Sequence, residues 1–276
     1  LIVTTDIANS GTIVLESDAD EFSSIKYQGS STDETITYKR YVNHATANEW
    51  DLIGSPVDDL SISSFATTNT SGTAILEMSS AQYAIGVFDN SDNTWDNYTN
   101  DGTGAGNVSG AGNFDIGKGY AMGSVSGGTG LMVFTGDIAV VDQTQAIIAQ
   151  NSGTNRWNLI ANPFPSFISA NDDTGNGSDN FLTANVNNID SEYLAVYGYD
   201  GDGTGYTGYG HDHNDNDTPV YIAPGQGFMV ASDNTSVGDS ASFTEAMQSV
   251  SGSDDFIDGI TGDIMDPVNT LLLRLY

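Results

Sequence analysis

Two stretches of this chain say the same thing twice. RWNLIANPFPS, residues 156–166, has a counterpart in EWDLIGSPVDD, residues 49–59, so that Trp157 stands 107 positions after Trp50. A Trp, an Asx residue, Leu-Ile, a small residue, a polar residue and Pro recur in order. A second pair keeps nearly the same spacing: DIGKGYAM (115–122) and IAPGQGFMV (222–230) align Gly117 with Gly225, Gly119 with Gly227 and Tyr120 with Phe228. Between them, IGVFDNSDNTWDNY (85–98) answers LAVYGYDGDGTGYTGY (194–209). Three landmarks in one order predict two copies of a unit of about a hundred residues.

Each copy reads as short strands and turns. Trp50 or Trp157 alternates with Leu52 or Leu159 on one strand face, and Pro56 or Pro163 follows, where a ladder hydrogen bond can no longer be donated. A polar segment with one helical turn comes next (SISSFATT and NFLTANV), then a strand, an acidic Gly-rich hairpin tip and a return strand. Gly-x-Gly-aromatic opens the last apolar strand, where glycine permits positive φ or a bulge. With Gly at 32 and apolar residues arriving as short Val, Ile, Tyr, Phe and Trp runs, long helices are excluded and the fold class is all-β. The expected architecture is two homologous β-sandwich or jelly-roll-like units, residues 36–140 and 141–250, after a short solenoid-like or capping stretch, residues 1–35. Residues 251–276 read as a linker and the first strand of a following domain, so the chain is expected to be a piece of something longer.

Charge removes several function classes. Six Lys and Arg against 37 Asp and Glu leave a net charge of −31, so no cationic face exists to neutralise nucleic-acid phosphates or to sit on an anionic membrane. No apolar stretch is long enough to span a bilayer, so membrane insertion is not expected. Cys is 0, which rules out disulfides and thiolate metal sites.

RWNLIANPFPSFISAN followed by YIAPGQGFMV resembles the paired Trp-Asn-Leu-Ile-x-Asn-Pro and Pro-x-Gly-Gln-Gly-Phe motifs of large cell-surface and secreted proteins of the Bacteroidota. The first copy departs from the pattern, with Gly54-Ser55 in place of Gly-Asn and Lys118 in place of Gln. The resemblance implies type IX secretion and an extracellular or outer-surface location, and it carries no catalytic residue over to this chain. Asp239-Ser240-Ala241 also resembles an O-glycan acceptor of such proteins, which would modify Ser240.

The richest candidate chemistry lies in YDGDGTGYTGYGHDHNDNDTP, residues 199–219. Asp200, Asp202 and Thr204 alternate as oxygen ligands of a turning loop do, and Asp212, Asp215 and Asp217 could complete a Ca²⁺ cage. His211 stands where an EF-hand needs Glu, so the alternatives are a looser Ca²⁺ site or a solvated acidic hairpin tip. Asp89, Asp92 and Asp96 repeat the theme weakly. His211 and His213 lack a third ligand for a transition metal. Tyr206 and Tyr209, within a cluster that includes Tyr193, Tyr197 and Tyr199, are candidates for stacking on sugar rings, the alternative being core packing. No nucleophile elbow, phosphate loop or zinc-binding helix occurs, so the chain is expected not to be an enzyme. The expected function is adhesion or display as a non-catalytic extracellular region of a large bacterial surface protein, with glycans or other surface proteins as partners. The alternative is a carbohydrate-binding accessory region of a secreted polysaccharide-degrading enzyme.

Overall fold

The computed structural model describes residues 1–7, 11–30, 34–43, 50–72, 75–101, 104–125, 129–150, 153, 155–171, 179–199, 206–210, 219–233, 239–255 and 273–275. It is an all-β, sandwich-like protein. Two of its sheets share one four-strand order, to which the first adds Met78–Ser79; a third, four-stranded sheet carries the long pair Thr35–Asn43 and Thr129–Asp137. In the first, Trp50–Ile53 pairs with Tyr120–Gly123, which pairs with Gln82–Asp89, which pairs with Thr94–Thr99. In the second, Trp157–Ala161 pairs with Gly227–Ala231, then Ala195–Tyr199, then Tyr206–Gly210. Register matches as well: Leu52 lies opposite Ala121 and Ile53 opposite Tyr120, while Leu159 lies opposite Met229 and Ile160 opposite Phe228.

Side-chain alternation along these strands gives each sheet two apolar faces. One face of the first sheet sends Ile53, Ile85, Tyr120 and Met122 into a core with Phe65, Phe114 and Phe134. The equivalent face of the second sends Ile160, Val196, Phe228 and Val230 into a core with Phe181 and Phe243. The opposite faces meet each other, and Leu52, Ala121, Leu159 and Met229 form a third layer flanked by Trp50, Phe88, Trp157, Tyr197 and Tyr199. Both Trp residues therefore flank the layer between the sheets, where they are half-buried, and Trp50 also packs against the first core.

The contacts across this layer are reciprocal, as around a local two-fold axis. Gly54 N donates to Gly225 O, and Ala161 N donates to Gly117 O, both at 2.8 Å. Ile53 bridges Gln226 while Ile160 bridges Lys118. Gly117 and Gly225 take positive φ, 80° and 66°, which turns the chain so that the next glycine can lie flat on the other sheet. A Cβ on Gly119 would come within 2.6 Å of Leu159, and one on Gly227 within 2.7 Å of the Leu52 backbone. The motifs that repeat in sequence are thus the ones through which the two sheets touch.

Short helices close the two outer cores, Ile62–Asn69 capped by Ser61 and Phe181–Ala184 capped by Asn180. Each is followed or ended by a buried Asn acting as a clamp. Asn69 Nδ2 donates to Phe65 O and Val133 O while its Oδ1 accepts from Val133 N. Asn185 does the same with Phe181 O, Ser242 O and Ser242 N.

The N-terminal segment shares the first core through Ile13, Leu15, Ile25 and Tyr27. Its strands pair in parallel, Ile2–Val3 with Lys26–Tyr27 and Ile13–Glu16 with the start of Thr35–Asn43. Leu273–Leu275, expected to open a following domain, pairs antiparallel with Ile13–Leu15. An apolar edge strand left bare there would be a site for pairing with other chains, and this strand covers it. Among the described residues no helix is long and apolar enough to cross a membrane.

Where the N-terminal sheet, the first sheet and the second half converge, Arg40 is fully buried. Its guanidinium pairs with Asp51 at 3.3 Å and with Asp255, donates to Pro224 O at 3.2 Å and lies 5.2 Å from the Phe22 ring centre. Burial alone would lower its pKa, but Asp255 and Asp51 outweigh that and hold it above the usual arginine value. Burial pushes the Asp255 carboxyl up to about 8, against the pull of Arg40 and with the help of the Asp51 charge.

Candidate functional site

Among the described residues, the layer between the sheets is filled on one side of the local two-fold and carries a cleft on the other, and the residues of the hairpins make the difference. On the closed side Trp157 is covered by Tyr197 at 4.9 Å and Tyr193 at 5.7 Å, both edge-on. The tip of the first hairpin is tied to the second half by amides: Asn90 Nδ2 donates to Ile148 O and Asn158 Oδ1, Asn93 Nδ2 to Asn155 Oδ1, and Asn155 Nδ2 to Ser91 O. Asp89 and Asp92 accept from Ser91 N and Thr94 Oγ1 within the same turn, and the hydrogen bonds from Ser91 hold the Asp89 carboxyl below its usual value. These acids shape a turn.

On the open side the same positions carry other residues. Counting from the matched pairs Phe88–Trp95 and Tyr197–Gly208, Tyr199 and Tyr206 take the places of Asn90 and Asn93. Trp95 and Asn97 take the places of Gly208 and Gly210. The result is a cleft of about 370 Å³ lined by Trp50, Leu52, Trp95, Asn97, Ala121, Tyr199 and Tyr206. That volume falls at the small end of ligand sites, and aromatic rings dominate the lining. Two of the rings remain available, with Trp95 40% and Tyr206 47% exposed.

Each ring is held by a neighbour. Trp95 packs on Phe88 at 5.0 Å and Tyr206 on Tyr199 at 5.3 Å. Gly86 lies between Trp95 and Asn97, where a Cβ would come 3.0 Å from Asn97 Oδ1 and 3.6 Å from the Trp95 ring. Asn97 Nδ2 donates to Tyr83 O at 3.2 Å, which fixes the amide, and among the described residues its Oδ1 accepts no hydrogen bond. Burial of Tyr206 and the adjacent Tyr199 phenol raise its pKa, so its hydroxyl stays protonated as a donor at neutral pH. Stacking faces beside one amide oxygen and a phenol can grip a flat, hydroxyl-bearing ligand, and the described lining residues carry no charged side chain.

Of the two tyrosines predicted as ligand contacts, Tyr206 lines this cleft. Tyr209 faces the other way and packs against the second core. Asp200, Asp202, Thr204, Asp212, Asp215 and Asp217, named for Ca²⁺, lie outside the described residues, as do His211 and His213. Among the described residues no three His, Asp or Glu side chains gather as metal ligands. Trp50, Trp95 and Asn97 were not predicted as contacts. The signal for Trp95 and Asn97 was present in TWDNYT, where a Trp and an Asn alternate on a strand whose counterpart, YTGYG, carries glycines.

A larger, shallower depression of about 550 Å³ lies over the pair Gln143–Ile147 and Asp239–Phe243. It offers hydroxyls, aliphatic carbons and one carboxylate but no ring, so it has no surface for stacking. Ser240 is exposed on it.

Residues 1–259 match a family described as a domain of unknown function (DUF8693). The chain belongs to the DUF8693 family. The matched span contains both sheets, the layer between them and the Arg40–Asp51–Asp255 cluster, so the cleft is formed wholly within one DUF8693 domain. Comparison with curated proteins and with solved structures returns no match.

Proposed function

We propose that this domain is a non-catalytic carbohydrate-binding region of an extracellular bacterial surface protein, and that adhesion to glycans is exerted through the cleft between its two sheets. One observation carries the reading: Trp50, Trp95, Tyr199 and Tyr206 converge from both sheets on a cleft whose polar groups are an amide and phenols. Pyranose rings present C–H faces that stack on aromatic faces, and their hydroxyls pair with neutral donors and acceptors. An adhesin and an accessory region of a polysaccharide-degrading enzyme would use such a cleft in the same way.

Titration calorimetry of the domain against neutral hexaoses of the gluco, manno and galacto series tests this. Binding by at least one series is expected, with loss of about tenfold in affinity, or about 1.4 kcal/mol, for Trp95→Ala. Because Trp95 is an exposed ring on a surface strand, the variant should keep its melting temperature. Absence of binding throughout, or unchanged affinity in Trp95→Ala, would overturn the proposal.

A further inference from the structure

We infer that the cleft accepts neutral glycans and turns away uronate-containing and sulfated ones, a selectivity that rests on the carbohydrate reading above. Among the described residues, the seven that line the cleft include no charged side chain. The sequence has 37 acids against 6 bases, so the protein as a whole repels an approaching anion.

The five Lys and Arg side chains among the described residues are engaged elsewhere. Lys26 Nζ donates to Gln248 O, Lys39 pairs with Glu16, Arg40 lies between Asp51 and Asp255, Lys118 pairs with Asp115, and Arg156 pairs with Asp190. The terminal amine of Leu1 donates to Ser24 O. Arg274 belongs to the strand that pairs with Ile13–Leu15, and its side chain lies outside the described residues.

An anionic sugar entering the cleft would give up hydration of its carboxylate or sulfate with no cation among the described lining residues to replace it. The faces of Trp and Tyr rings are themselves negative, so stacking brings the anion against like charge. Neutral pyranoses meet neither cost, since their C–H faces carry partial positive charge and their hydroxyls find the Asn97 amide oxygen and the Tyr206 hydroxyl. Recognition is thus set by absence of charge in the ligand as much as by ring stacking.

The experiment starts from a neutral hexaose that binds and compares it with the hexamer oxidised to the uronate at C6, keeping linkage and ring stereochemistry. Calorimetry is done in EDTA, so that no divalent ion bridges carboxylates, at about 10 mM and about 1 M NaCl, where the screening length is about 30 Å and about 3 Å. The expected result is affinity at least tenfold weaker for the uronate at low salt, with the gap narrowing at high salt. Equal or tighter uronate binding would overturn the charge selectivity while leaving the carbohydrate reading intact. A gap that does not respond to salt would also overturn it, because the discrimination would then be steric. If no neutral hexaose binds, the carbohydrate reading falls and the selectivity falls with it.

Discussion

Replacing Gly227 by Ala tests whether the two sheets are held by the reciprocal contact of their Gly-x-Gly segments. The added Cβ would lie 2.7 Å from Leu52 C, 2.8 Å from Leu52 O and 2.9 Å from Leu52 Cβ, so a strand backbone, which cannot rotate aside, must move. Overpacking of this kind costs about 1–3 kcal/mol. The smaller conformational freedom of Ala in the unfolded chain returns about 0.4–1 kcal/mol. A net loss of about 1–2 kcal/mol lowers the melting temperature by about 2–8 °C for a domain of this size. Gly119→Ala strikes the corresponding place, with 2.6 Å to Leu159 Cγ and 2.8 Å to Ile160 O, and should cost a similar amount. Once one substitution has parted the sheets the other meets less resistance, so the double variant should lose less than the sum. Gly106→Ala is the control, because nothing lies within 4 Å of its added Cβ. Urea and thermal unfolding of the four variants decide the matter. If Gly227→Ala and Gly119→Ala behave like Gly106→Ala, the sheets are not in contact as described.

Trp157→Ala should destabilise by about 3 kcal/mol in urea titration, since it strips the ring on which Tyr193 and Tyr197 pack, and a cost below that of Trp95→Ala would contradict its placement. Asp255 binds its proton more tightly folded than unfolded, where a carboxyl titrates near about 3.9. Its contribution is therefore full below pH 3.9 and lost as pH rises through about 8, so melting temperature should fall between pH 6 and 9 in the native chain and less in Asp255→Asn; equal slopes would refute this. For the Ca²⁺ proposal, which rests on sequence alone, millimolar Ca²⁺ should raise the melting temperature more than NaCl of equal ionic strength, and Asp200→Ala with Asp202→Ala should remove the difference; saturation at a hundredfold excess over Kd corresponds to about 2.7 kcal/mol.

Period-2 alternation and turn chemistry made the β character legible, because those signals are local. The Gly-x-Gly segments were read as turns or bulges, and Gly117 and Gly225 do take positive φ. Their partners Gly119 and Gly227 are small for a different reason, the approach of a strand more than thirty residues away in sequence, which no local pattern encodes. The helix clamps were visible and passed over: FATTN (65–69) and FLTAN (181–185) both end in the Asn that grips a distant strand. Asp51 against Asn158 was likewise read as an interchangeable Asx pair. The acid is there because Arg40 reaches it from another sheet, while Asn158 binds Ile148 in its own half. The cleft was half legible, since Tyr206 stood in a conspicuous aromatic cluster while Trp95 and Asn97 gain meaning only from the sheet they face.

Two sheets of the same order, joined by reciprocal contacts, would leave matching spaces on either side of their local axis if their sequences were the same. Here they are not the same where it counts. Asn90 and Asn93 hydrogen-bond the first hairpin across the axis, and Gly208 lets Tyr197 settle edge-on against Trp157, which fills one side. Tyr199 and Tyr206 stand in the places of those two amides, and with Trp95 and Asn97 beyond Gly86 they line a cleft on the other side. The residues common to both halves make the scaffold, and those that differ between the halves make the site. A search for function in such a chain is therefore directed at positions where the two halves disagree, and in this chain they are aromatic on one side and amide or glycine on the other.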